Sequence, residues 1–399
     1  MKRFLLSFMA VMLFSTQAHA GGFQIPEMGV KAMGMGHAFT AIADDPTANW
    51  FNPAGLAFQE GHAVTLGGTL VLPKVDFVGA TFSSSADKKI LFVPHTYVAG
   101  TSDELGISYG IGINAPFGLE MEWPTTPAGF TGGAQYGRLQ AVNINPNIAF
   151  KVSDELALAV GLVYVNMYKV DFNGTALVQN FKGDGIGFNA ALLYKAEQFS
   201  FGVSYRSDVK IKAKGISTSA TPYPASTSNN AITVTMPDML SIGVAFHPAE
   251  RWTVSADADW VNWKKFKELA FTYTPGLHPV VGVGGASLTV AENWKATWAF
   301  RLGAEWEYSD TMRARIGYTY DPTPISDVEF TPLLPGNDRQ ALHLGYGVDL
   351  SDQATLDLAY IYVLVATRNQ TASTGANIVR NGTYKSDVHL AGASLTYHF

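Results

Sequence analysis

Along much of this chain, side chains of opposite character alternate one by one, with aromatic residues gathered on one face and polar or ionic groups on the other. Phe199, Phe201, Val203 and Tyr205 share a face whose reverse is Ser200, Gly202 and Ser204. Trp252, Val254, Ala256, Ala258 and Trp260 stand opposite Thr253, Ser255, Asp257 and Asp259. Trp298, Phe300, Leu302, Ala304 and Trp306 stand opposite Ala299, Arg301, Gly303 and Glu305. A period of two places successive side chains on opposite sides of a sheet, so these are strands whose two faces meet different surroundings. A membrane barrel with lipid outside and a polar lumen shows this pattern, with aromatic residues at the interfaces. A soluble sandwich that buries its apolar faces shows it too, so alternation establishes an all-β fold and leaves these two open.

The spacing of the connections favours the barrel. Tight polar turns, TSDE, VSDE, AEQ, PAER, SDT and SDQ, follow Gly100, Lys151, Lys195, His247, Tyr308 and Leu350. Longer connections alternate with them: Pro73 to Lys89, Pro116 to Tyr136, Asp171 to Asp184, Ala213 to Asn230, Pro275 to Glu292, Asp321 to Asp338 and Arg368 to Lys385. One rim then carries short turns and the other long loops, as in a transmembrane antiparallel up-and-down β-barrel of about fourteen strands. The third strand is placed near residues 104–116 and the tenth near 294–308.

The first twenty residues name the compartment. Lys2 and Arg3, an apolar run from Phe4 to Phe14, and Ala18-His19-Ala20 together read as a secretory signal peptide over residues 1–20, and export combined with the barrel pattern places the mature chain in a Gram-negative outer membrane. The run is too short to span a bilayer as a helix. The chain has 399 residues, 12% of them aromatic, a formal net charge of -6 and no cysteine. That charge gives nucleic acid no electrostatic footing, and thiol chemistry and disulfides are excluded.

Residues 21–60 lack period-two alternation and are rich in Gly, Ala and Met. A wide barrel needs something in its lumen, so this stretch reads as a hatch, or plug, ahead of a barrel over 61–399. A plain N-terminal turn before the first strand is the alternative. Its best-defined feature is Asn52-Pro53-Ala54, in which Asn can cap a helix and Pro fits the first helical position. Asp44-Asp45 reads as a polar turn before Pro46. Met28, Met33 and Met35 read either as an adaptable ligand surface or as ordinary packing.

GGFQIPE at Gly21, AIADDPTANWFNPAGL at Ala41, YRSDVKIKAKG at Tyr205, MPDML at Met236 with RWTVSADADWVNW after it, and NWKATWAFRLG at Asn293 follow one another along the chain. In this order they resemble the FadL family of outer-membrane long-chain fatty-acid transporters. The resemblance implies a fourteen-stranded barrel with an N-terminal hatch, an internal ligand pocket reached by Phe23, and lateral exit at a kink in the third strand near Gly118.

The residues add support of their own. Pro94, Pro116 and Pro146 fall in three neighbouring strands, where proline cannot donate to a ladder and marks either bulges and broken pairing or simply strand ends; Pro237, far from them, does not fit a local gap. Asn114, Pro116 and Gly118 are the expected lateral gate. Lys295 matches the family's NWK-like lysine, and parity with Ala299 and Arg301 points it into the lumen, either toward a cargo carboxylate or toward Glu305. Where long-chain members carry an arginine late in the fifth strand, this chain reads Tyr168-Lys169-Val170-Asp171, so a cation there depends on Lys169. Phe23, Lys295, Arg301 and Lys169 are therefore the expected ligand contacts.

GxSxG, HExxH, Walker and zinc-spaced motifs do not occur, so neither an enzyme nor a cofactor is expected. The reading is a monomeric channel, surrounded by outer-membrane lipids and lipopolysaccharide, for passive uptake of hydrophobic small molecules, most of all long-chain fatty acids. Neutral aromatic hydrocarbons are an alternative cargo, and a non-transporting adhesin or porin an alternative role.

Overall fold

The computed structural model describes residues 21–399 apart from 103, 125–129, 131–133, 175–176, 220–225, 274–286 and 374–378. The expected leader, residues 1–20, lies outside the described residues. Fourteen antiparallel strands form a closed barrel. The first strand, His62–Gly79, pairs with the last, Gly382–His398, from Ala63 opposite His398 to Gly79 opposite Gly382. Closure leaves no sheet edge there to be satisfied by water, which is the condition for spanning hydrocarbon with strands.

The direction of the alternation separates barrel from sandwich. Trp252, Val254, Trp298, Phe300, Trp306 and Ile316 are exposed on the outer wall, while Ser255, Asp257, Arg301, Glu305 and Arg315 are buried inside. An exposed apolar surface of this extent is suited to lipid.

Two expected long connections are largely strand. The fifth strand runs over Leu156–Gly174 and the sixth over Leu177–Lys195, while Val209–Ser219 and Ser226–Met236 carry the next hairpin upward. Above the bilayer the outer face meets water, and the apolar contrast that marks a spanning strand disappears although the ladder continues.

Five strands are built in two pieces. The third is Ile107–Asn114 followed by Gly118–Glu122, and the seventh is Phe199–Arg206 followed by Val209–Ser219. The eighth breaks between Met236 and Met239, around Pro237, so that proline also marks lost pairing. The ninth and tenth break between Val261 and Glu268 and between Ala291 and Thr297. Through the last two breaks Trp263, Phe266 and Trp294 dip inward and join Phe23, Phe117, Phe181 and Phe271 in a buried apolar cluster. The lumen is thus partly a hydrophobic core, not the uniformly polar interior that alternation suggested.

The hatch fills the other part of the lumen. It contains short helices at Val30–Gly34 and Ala48–Phe51 and a 3-10 helix at Pro53–Phe58. Asn52 caps the last of these, its Oδ1 accepting from Ala54 N at 3.1 Å, and its Nδ2 donates to Thr40 O at 2.8 Å and Leu192 O at 3.0 Å. Asn52-Pro53-Ala54 therefore caps a turn and ties it to the wall. Leu56 packs on Ala149, Ala157 and Ala159, whose small side chains let the backbones approach. On the opposite side Asp257 accepts from Phe39 N at 2.9 Å and Thr40 N at 2.8 Å, and Thr319 Oγ1 donates to Gly36 O at 2.9 Å. Gly36 has φ 63° and a Cβ there would lie 2.5 Å from Leu302 O, so only glycine fits this contact.

Asp44 and Asp45 form the expected polar turn: Lys31 Nζ lies 2.8 Å from Asp44, and Asp45 Oδ1 accepts from Thr47 N at 2.7 Å. Met28, Met33 and Met35 are fully packed. Thr69 Oγ1 donates to Met33 Sδ at 3.2 Å. None of the three lines the cavity described next, so packing is their role here.

Candidate functional site

The break in the third strand opens the wall. Below it, Thr96 to Ser102 of the second strand (Leu91–Ser102) pair with Ile113 to Ile107. Above it, Gly118 to Glu122 pair with Gln140 to Tyr136 of the fourth strand (Ala134–Lys151). Among the described residues no ladder joins Leu91–His95 to Gly118–Glu122, although Leu91 to His95 pair with the first strand on their other side. Pro94 lies on this open stretch and Pro116 in the break itself. The resulting window is bridged at its top by Asp87 N donating to Glu122 O at 2.9 Å and by Lys89 Nζ at 2.6 Å from Glu122.

The start of the hatch takes the place that the ladder leaves. Ile25 N donates to Pro116 O at 2.9 Å and Gly118 N to Phe23 O at 3.1 Å, with Gln24 opposite Phe117. Backbone groups freed by the kink are therefore satisfied by the hatch, as buried peptide groups must be.

Behind the window lies a cavity of about 340 Å³, within the range of small-molecule sites. Its walls combine inward residues, Phe23, Val93, Phe117 and Leu119, with outward Phe92 and Tyr168, so it passes from the lumen to the lipid-facing surface. Phe92 is 62% exposed and Tyr168 45%. Phe23 holds the inner wall through edge-on contacts with Trp263 at 4.9 Å, Phe266 at 5.4 Å and Phe117 at 6.0 Å.

The end of the cavity nearest the hatch is polar, lined by Glu27, His37, Arg301, Asp321, Arg339 and His343. Arg301 is buried and forms an ion pair with Asp259, and Arg339 Nη2 donates to Gly22 O at 3.2 Å.

Of the expected ligand contacts, Phe23 and Arg301 reach the cavity and two lysines do not. Lys295 is exposed: the strand segment begins only at Thr297, and the irregular residues between Ala291 and Thr297 cancel the parity that pointed Lys295 inward. Glu305, its alternative partner, pairs with Arg315 instead. Lys169 is half-buried opposite Gln140, beside a register shift between Met167 and Val170; its neighbour Tyr168 meets the cavity in its place. Asn114 is buried beside the break, and Gly118 lines the cavity. Arg339 and His343 were missed, although their parity with Ala341 and opposite Leu342 and Leu344 marks them as inward residues.

A family model described as "Outer membrane protein transport protein (OMPP1/FadL/TodX)" matches residues 11–399. A long-chain fatty acid transport protein of Escherichia coli O6:H1 is 26% identical over 412 residues, covering 89% of each chain. Outer membrane protein P1 of Haemophilus influenzae is 24% identical across 100% of both. In fold, a Pseudomonas aeruginosa FadL homologue matches at TM-score 0.79 with 18% identity, over 95% of this chain and 100% of that one. The Ralstonia pickettii toluene transporter TbuX matches at 0.73 with 16% identity, over 94% and 100%. With a closed fourteen-stranded barrel, an internal hatch and a family match over nearly its whole length, this chain belongs to the FadL/TodX family of outer-membrane transporters of hydrophobic compounds.

Proposed function

We propose that this protein takes up long-chain fatty acids passively, holding them in the cavity behind the window and releasing them sideways between the second and third strands into the bilayer. The observation that carries this reading is the continuity of the cavity from Phe23 and Arg301 inside to Phe92 and Tyr168 outside. An amphiphile following that path keeps its chain against apolar side chains and avoids crossing the polar contacts between hatch and wall. The E. coli relative's name supports the cargo. The chain has no nucleotide-binding motif, so the ligand's own gradient or its consumption downstream drives the flux. Displacement of Phe23 to Ile25 from the kink would widen the route.

A neutral aromatic hydrocarbon is the second reading, favoured by the position of Lys295 and Lys169 off the cavity and by the name of the R. pickettii neighbour.

Val93→Trp together with Leu119→Trp fills the passage. Uptake of radiolabelled oleate by cells lacking their own transporter should fall at least tenfold, with heat-dependent gel mobility showing that the barrel still folds. Undiminished uptake by the folded variant would remove the window from the route.

A further inference from the structure

The polar end of the cavity contains three side chains with hydrogen-bonding atoms left unpaired. His37 is 4% exposed, His343 2% and Arg301 6%, and all three line the cavity. His37 Nδ1 and Nε2, His343 Nε2 and Arg301 Nη1 have no hydrogen-bond partner among the described residues. The two imidazole rings stand perpendicular with centroids 5.2 Å apart. Buried polar atoms are nearly always paired, and leaving one unpaired costs stability. Several such atoms around one cavity point to an occupant that pairs them.

We infer that His37 on the hatch and His343 and Arg301 on the wall form a head-group subsite for a carboxyl or hydroxyl terminus. This rests on the reading of the cavity as the cargo site and specifies the chemistry of the cargo.

The donor and acceptor pattern supplies the argument. His343 Nδ1 lies 2.8 Å from Met33 O. A carbonyl only accepts, so Nδ1 carries the proton, and the neutral ring leaves Nε2 as an acceptor. Arg301 Nη1 only donates. Arg301 also has Asp259 as its ion-pair partner, so the unused guanidinium edge is a hydrogen-bond donor beside an already balanced charge. A group that both donates and accepts satisfies the pair: the C=O of a carboxylic acid accepts from Arg301 and its O–H donates to His343, or an alcohol oxygen does both. Transfer of that proton to Nε2 would give a carboxylate and an imidazolium with the same contacts. A hydrocarbon pairs neither atom.

Val93, Phe117, Leu119 and Val363 also line the cavity. They give the tail an apolar path from the polar end to the window. His37 has φ 60° and follows Gly36, the glycine pinned to the wall, so an occupant at His37 touches the hatch at a fixed point. Bound cargo would thereby join hatch and wall through one head group.

The test measures displacement of tritiated oleic acid from the full chain in detergent micelles by oleic acid, oleyl alcohol, methyl oleate and toluene. Methyl oleate has the same chain but only accepts hydrogen bonds. Acid and alcohol should compete about tenfold better than the ester, the scale of one or two hydrogen bonds. In His37→Leu, which removes no protein hydrogen bond of the ring, and in His343→Phe, the acid-to-ester ratio should fall toward one, with heat-dependent gel mobility confirming folding. Equal competition by acid and ester in the parent protein, or an equal loss for both ligands in both variants, would overturn the subsite alone. No saturable oleate binding would overturn the cargo reading and the subsite with it.

Discussion

The Tyr97 hydroxyl donates to the Met28 carbonyl at 2.7 Å, so one phenol on the second strand grips the hatch. The same oxygen accepts from Asn114 Nδ2 at 2.8 Å, and Asn114 in turn accepts from Asn143 Nδ2 at 3.0 Å. Asn114 is the last residue before the break in the third strand. Hatch position and wall opening therefore share a buried hydrogen-bond chain, and a displacement of Met28 reaches the edge of the window through two side chains.

Tyr97→Phe removes the shared oxygen and keeps the ring. Met28 O and Asn114 Nδ2 then lose this partner in a buried setting, at a cost of about 1–3 kcal/mol. Urea unfolding of the barrel in lipid vesicles measures it. A loss below about 0.5 kcal/mol, the lower edge for a single hydrogen bond, would show that the chain carries no energetic coupling.

Asp257→Ala leaves Phe39 N and Thr40 N without their shared acceptor. The hatch should loosen, and planar-bilayer recordings should show channel openings absent from the parent. A variant as silent as the parent would mean that the remaining contacts hold the hatch alone.

Lys295→Ala should leave oleate affinity within about twofold, since an exposed lysine away from the cavity contributes little. Arg301→Gln should weaken it clearly, and should also destabilise the barrel by leaving the half-buried Asp259 without its ion-pair partner. Equilibrium binding to both variants decides between them, and a large loss in Lys295→Ala alone would restore the family-like head-group role.

Ile316→Arg puts a cation on the lipid face, where Ile316 is 58% exposed. The expected cost is about 2–4 kcal/mol near the bilayer midplane, read from folding into vesicles. A neutral effect would place this face in water.

Glu292 precedes the spanning segment Thr297–Glu307 on the long-loop side, and burial pushes its carboxyl up to about 7 from 4.5, offset in part by Trp294 Nε1 donating to it at 3.0 Å. A raised carboxyl favours the folded form while protonated. Its contribution is complete below about pH 4.5 and is lost as pH rises through 7. Trp294 fluorescence should report local loosening between those limits, and Glu292→Gln should flatten the profile. An unchanged profile in that variant would assign the transition to another group.

The sequence alone determined the strand count, the alternation of short turns and long loops, and Asn52 as a helix cap, while it left residues 21–60 open between a hatch and a plain turn. These depend on local rules, namely side-chain period, turn chemistry and the absence of a donor at proline. Tertiary structure decided which way the faces point, because a lipid-facing barrel and a sandwich share one alternation. It also decided the site. Lys295 lost its inward place through a few irregular residues before Thr297, and the cavity combined His37, Arg301 and His343, which lie far apart in the chain. Parity is local and fails across any break in a strand; a cavity is made by closure, and closure sets neighbours that no spacing in the chain records.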